Sequence, residues 1–81
     1  MSQKARLLEL VDTFIEGKDQ SMRLVNEIEG ILVDHYLETS VFEELTEPLA
    51  LYRPGCGAPY YGVAEMAETF REAREAINDL E

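Results

Sequence analysis

The chain has 81 residues, 46% of them hydrophobic and 30% charged, the balance of one folded domain with a thin core; a second domain and wholesale disorder are both excluded. Seventeen Asp and Glu against seven Lys and Arg leave a net charge of -10, which excludes direct binding to nucleic acid and repels anionic membrane surfaces. The single cysteine, Cys56, excludes an internal disulfide and fits a reducing cytoplasmic setting, and no apolar run approaches membrane-spanning length, so neither a secretion leader nor a span is expected.

In chain order, Leu7, Leu8, Leu10, Val11, Phe14 and Ile15 recur with the helical period opposite Glu9, Asp12, Thr13 and Glu16. They predict a helix over about residues 3 to 16. Gly17 ends it at a position suited to a left-handed residue, and Lys18 sits close to the negative end of the helix dipole. A second helix, over about residues 20 to 37, is capped by Asp19 or Ser21. Its apolar arc is Leu24, Val25, Ile28, Ile31, Leu32, His35 and Tyr36.

Ser40-Val41-Phe42-Glu43 has the form of a capping box and starts a third helix, whose stripe is Val41, Phe42, Leu45, Leu49 and Tyr52. Pro48 lies inside that stripe and deletes the hydrogen bond to the Glu44 carbonyl, so a kink or restart is expected near Glu47. Between Arg53 and Gly62 two prolines and three glycines make the one long loop. From Val63 the helical period returns through Met66, Ala67, Phe70, Ala73, Ile77 and Leu80, with an acidic opposite face on which Arg71 and Arg74 stand at pairing distance from Glu68 and Glu75. Nothing alternates with period two, and short connections force neighbouring helices to run antiparallel. The expected fold is all-α, a small antiparallel four-helix bundle forming a single domain over residues 1–81, its third helix kinked near Pro48.

Three features invite a chemical reading. His35, beside Asp34 and one turn from Glu38, suggests metal ligation or acid/base work, but a carboxylate-bridged metal bundle needs more histidines and inward acids, so packing at the core boundary is the simpler role. Cys56 between two glycines suggests a reactive thiol, yet no second cysteine resolves an oxidation and the loop lacks a phosphate-binding lysine pattern. Neither a catalytic residue, a metal site nor a cofactor is expected, and the chain reads as a non-enzyme. Tyr52, Tyr60 and Tyr61 cluster at the end of the third helix and in the loop, Tyr60 as an exposed interface anchor and Tyr52 as core.

Charge distribution is the most informative feature. From Leu24 to Tyr52 there are seven carboxylates and not one Lys or Arg. Glu27, Asp34 and Glu38 project within an arc of roughly 40° on the second helix, while Glu43, Glu44 and Glu47 share the outer face of the third. Together they predict one negative surface. A solvated face kept soluble by its charge is the plain alternative, but unneutralised like charges cost stability, so attraction of a basic protein is the use that compensates.

The sequence also resembles the colicin D type immunity proteins, small acidic helical bundles of bacteria. The likeness covers nearly the whole chain and rests on Phe14-Ile15-Glu16-Gly17, on Val41-Phe42-Glu43-Glu44-Leu45, on Leu49-Ala50-Leu51-Tyr52 before a Pro-containing loop, and on Tyr61 ahead of a last helix with Met66, Ala67 and Phe70. The resemblance implies an antitoxin that covers the tRNA-cleaving site of a toxin nuclease domain with negative charge. No fixed acidic motif carries contact residues over from the family, so the expected partner-binding set is Glu27, Asp34, Glu38, Glu43, Glu44, Glu47 and Tyr60, the six acids from the charge pattern and Tyr60 as the exposed ring. The competing expectation is a helical interaction module that buries an apolar stripe against a second copy and has no toxin partner.

Overall fold

The computed structural model describes residues 3–80, and they form four helices: α1 (Gln3–Ile15), α2 (Met22–His35), α3 (Ser40–Leu51) and α4 (Val63–Asn78). No strand occurs among the described residues. The only sheet-like feature among the described residues is a single parallel bridge between Tyr52 and Tyr61. A small four-helix bundle is therefore the architecture, as the periodicity predicts. α1 packs against α2 and α4, and α3 packs against the same two, so α1 and α3 stand on one diagonal and α2 and α4 on the other.

Side-chain pairs fix the directions. Lys4 Nζ donates to the Asn78 carbonyl at 3.1 Å and Arg74 Nε to Asp12 at 2.7 Å, so α1 and α4 run antiparallel. Arg6 reaches Glu27 while Phe14 lies near the start of α2, where Gln20 Nε2 donates to its carbonyl at 3.1 Å, so α1 and α2 are antiparallel too. One end of the bundle thus gathers the α1–α2 turn, the end of α3 and the long loop. The other gathers the start of α1, the α2–α3 turn and the end of α4.

The first helix stops as its sequence foretells. Gly17 takes φ +79°, its N–H bonds to the Phe14 carbonyl at 3.0 Å, and the Lys18 N–H bonds to the Thr13 carbonyl at 3.1 Å, a Schellman closure. Ser21 caps α2 by accepting from the Leu24 N–H at 3.2 Å. Two start signals differ from expectation. α3 is capped by Thr39, whose hydroxyl accepts from the Phe42 N–H at 3.1 Å, and Ser40 is already the first helical residue. A hydroxyl one residue earlier has the extended backbone a cap requires, and this displaces the expected Ser40–Glu43 box. The glutamate half of such a box is found at α4 instead, where Glu65 accepts the Gly62 N–H at 2.9 Å.

α3 continues as one helix through Pro48, which is buried in it, and does not restart at Glu47. α2 is shorter than expected at both ends, because the cap at Ser21 sets its start and Tyr36 leaves helical geometry at its end. The core is a single cluster in which Leu7, Val11, Phe14, Ile28, Leu32, Leu45, Tyr52, Met66, Phe70 and Ile77 lose nearly all contact with solvent. Phe14 is its hub, edge-on to Tyr52 at 5.5 Å and to Phe70 at 5.2 Å between ring centroids. His35 does not join the core as its place on the apolar arc suggests. It is exposed, since it is the last residue of α2 and the chain turns into the core at Tyr36 instead.

Candidate functional site

Among the described residues there is no pocket, and no group of three His, Cys, Asp or Glu side chains is placed to hold a metal ion. What the surface presents is charge. Glu27, Asp34, Glu38, Glu43, Glu44 and Glu47 are all exposed, and Tyr60 is exposed at 44% of its area. Tyr52 is fully buried, as expected, and donates its hydroxyl to the Gln20 carbonyl at 2.5 Å. Burial pushes its phenol above the ordinary tyrosine value.

Most of the chain's cations are spent outside the α2–α3 half. Arg74 makes a two-pronged bond to Asp12, at 2.7 and 3.0 Å, and takes no acid of its own helix. The guanidinium holds Asp12 below the ordinary aspartate range, while its own proton is held more firmly. A bond across the bundle wins here because the fork meets the two carboxylate oxygens at once. Arg71 takes Glu68 at 3.5 Å as its spacing predicts, and Lys18 takes Glu16 at 3.1 Å. Asp19 lies below its usual value because the Ser21 N–H donates to it at 3.0 Å.

Besides Arg23 in the first turn of α2, one cation from another helix reaches the acidic half. Arg6, on α1, bonds Glu27 at 2.6 Å together with Glu9 at 2.6 Å, so Glu27 is compensated, contrary to the expectation of seven unpaired charges. A pair between separate helices cannot be read from helical spacing. The other six, Glu29, Asp34, Glu38, Glu43, Glu44 and Glu47, have no ion pair among the described residues.

The Arg6 contact also shows how α2 is turned. Glu27 faces α1, and with it the strip that holds Asp34, so this acidic strip lies on the edge of α2 away from α3. Glu43 and Glu47 lie on the arc of α3 opposite its buried residues Val41, Leu45, Pro48 and Leu49 and point outward, while the exposed Glu44 lies at the side of that arc near Pro48. The acids therefore form two strips rather than one continuous sheet of charge. On the α3-facing edge of α2, between the strips, stand Met22, Glu29 and Val33, with Leu37 just beyond the helix; Met22, Val33 and Leu37 are exposed at 39%, 46% and 52%. At about 100° per residue Met22, Glu29 and Val33 fall within roughly 40° of one another.

The loop from Arg53 to Tyr60 closes on itself. The Arg53 N–H donates to the Tyr61 carbonyl at 2.9 Å, the Tyr61 N–H to the Leu51 carbonyl at 2.8 Å and the Tyr60 N–H to the Gly57 carbonyl at 2.9 Å, holding Tyr60 outward at the end opposite the α2–α3 turn. This places Tyr60 apart from Asp34 and Glu38. Cys56 is exposed and unbridged. No helix among the described residues is long and apolar enough to cross a membrane. Comparison with protein-family models, curated proteins and solved structures found no match to this chain.

Proposed function

We propose that this chain is a non-enzymatic, cytoplasmic immunity protein that binds a basic toxin nuclease domain and masks its RNA-binding cleft. The carrying observation is the six carboxylates of α2, the α2–α3 turn and α3 that make no ion pair among the described residues, in a chain that pairs most of its arginines elsewhere. A nuclease cleft is lined with Lys and Arg to hold phosphates, and outward carboxylates on a rigid bundle compete for the same cations. Mechanism reduces to occlusion. Carboxylates occupy the positions of the phosphates, and the bundle excludes the RNA strand.

Rescue of cells by co-expression tests this reading. The wild-type chain is expected to protect bacteria expressing a basic toxin nuclease domain encoded beside its own gene, and the Glu43→Lys/Glu44→Lys/Glu47→Lys variant is expected to lose protection while keeping its helical circular dichroism. Affinity should fall at least about ten-fold in that variant, because three attractions become three repulsions. Undiminished protection by the reversed variant would place the interface elsewhere.

A further inference from the structure

The seam between α2 and α3 combines features that the acids alone do not explain. Met22, Val33 and Leu37 are large, apolar and substantially exposed; Met22 and Val33 share one edge of α2, and Leu37 follows in the turn to α3. Scattered single apolar residues are ordinary on a surface, whereas two on one edge of a 14-residue helix with a third at its exit line the seam as a ridge. Across the seam, α3 adds the half-buried Phe42. Gly30 lies at the middle of the outer face of α2, and a side chain there would meet nothing within 4 Å, so the helix backbone is open to close approach. On one flank is Asp34, beside a Glu27 already held by Arg6, on the other are the α3 carboxylates, and Glu29 lies on the α2 edge itself.

We infer that this seam docks an amphipathic basic segment of the partner protein, its apolar residues on Val33, Leu37 and Phe42 and its Lys or Arg side chains on the two acidic flanks. The inference rests on the reading of the chain as an acidic binder and adds where and how the partner is held. Charge selects the occupant. A second copy, itself carrying a net charge of -10 and acids on both sides of the same ridge, sets carboxylates against carboxylates in any pairing through the seam. A segment with apolar residues at helical spacing and cations on both sides satisfies ridge and flanks together.

Two synthetic peptides of identical Leu and Lys composition test this. In one, the leucines recur at i, i+3, i+4 and i+7 between lysine flanks; in the other the order is scrambled. At about 150 mM salt, where exposed charge is screened beyond about 8 Å, the amphipathic peptide is expected to bind about ten-fold more tightly than the scrambled one. Its amide shift changes on the wild-type chain should centre on Val33, Leu37 and Phe42, and Val33→Ser/Leu37→Ser should erase the preference. Equal binding of the two peptides, unchanged in the double variant, would overturn the seam while leaving the acidic reading in place. Failure of both peptides to bind even at low salt would overturn both. Sedimentation showing a wild-type dimer dispersed by Val33→Ser/Leu37→Ser would give the seam to a second copy and overturn the inference. The peptide comparison and the shift map need only the wild-type chain, so they decide the matter even if the double variant loses its fold.

Discussion

Tyr52 joins three parts of the molecule through one side chain. Its ring closes the core against Phe14, its hydroxyl reaches the Gln20 carbonyl, and its backbone begins the pairing with Tyr61 that closes the loop. Gln20 is the matching piece, since its side-chain amide also serves the carbonyl end of α1 through Phe14. Tyr52→Phe should therefore cost about 1 kcal/mol at neutral pH, the typical net value of one hydrogen bond. The pH dependence has a definite sign. Burial raises the phenol in the folded state, so on alkaline titration the unfolded chain ionises first, near 10.0, and the wild type loses stability as pH rises past that value towards the folded one. The phenylalanine variant has no such group, so the stability gap between the two proteins should narrow above pH 10 in denaturant titrations. A gap that stays constant would show that Tyr52 ionises as easily folded as unfolded.

Helix boundaries and helix faces were recoverable from spacing to different degrees. Every apolar arc except its His35 member was readable from the 3.6 period, because core burial is what the period encodes. The Gly17 stop was equally plain, whereas the cap of α3 was displaced by one residue because Thr39 and Ser40 carry the same chemistry and only backbone geometry separates them. Cross-helix partners such as Arg6–Glu27 and Arg74–Asp12 left no trace in local spacing. The two helix-related glycines give a paired test of this account. Gly30 has an ordinary helical backbone and open space at its Cβ position, so Gly30→Ala should stabilise the protein by roughly 0.5–1 kcal/mol. Gly17 sits at φ +79° with only an ordinary contact to Gln20, so Gly17→Ala should destabilise it by about 1 kcal/mol through backbone strain alone. Thermal melts of both variants measure this, and shifts of the same sign would contradict it.

The molecule as a whole separates its two tasks between its two halves. α1 and α4 carry most of the cations and use them on internal pairs, which link the first helix to the last and to α2. α2 and α3 carry acids that the fold leaves unneutralised, an arrangement that stabilises nothing internally and strengthens the field facing outward. Composition revealed the excess of charge, and periodicity showed that it lies outside the core. The division into two acidic strips around an apolar ridge was hidden, because it depends on how α2 is rolled against α1. That roll is set by burial of Leu24, Val25, Ile28 and Leu32, and the Arg6–Glu27 contact displays it.

The association rate with the basic nuclease domain, followed by stopped flow from low to high salt, tests the central claim most directly. Steering by an unneutralised acidic face predicts a rate that falls at least about ten-fold as ionic strength rises from about 0.01 to 0.15 M. A rate that does not change over that range would contradict the account.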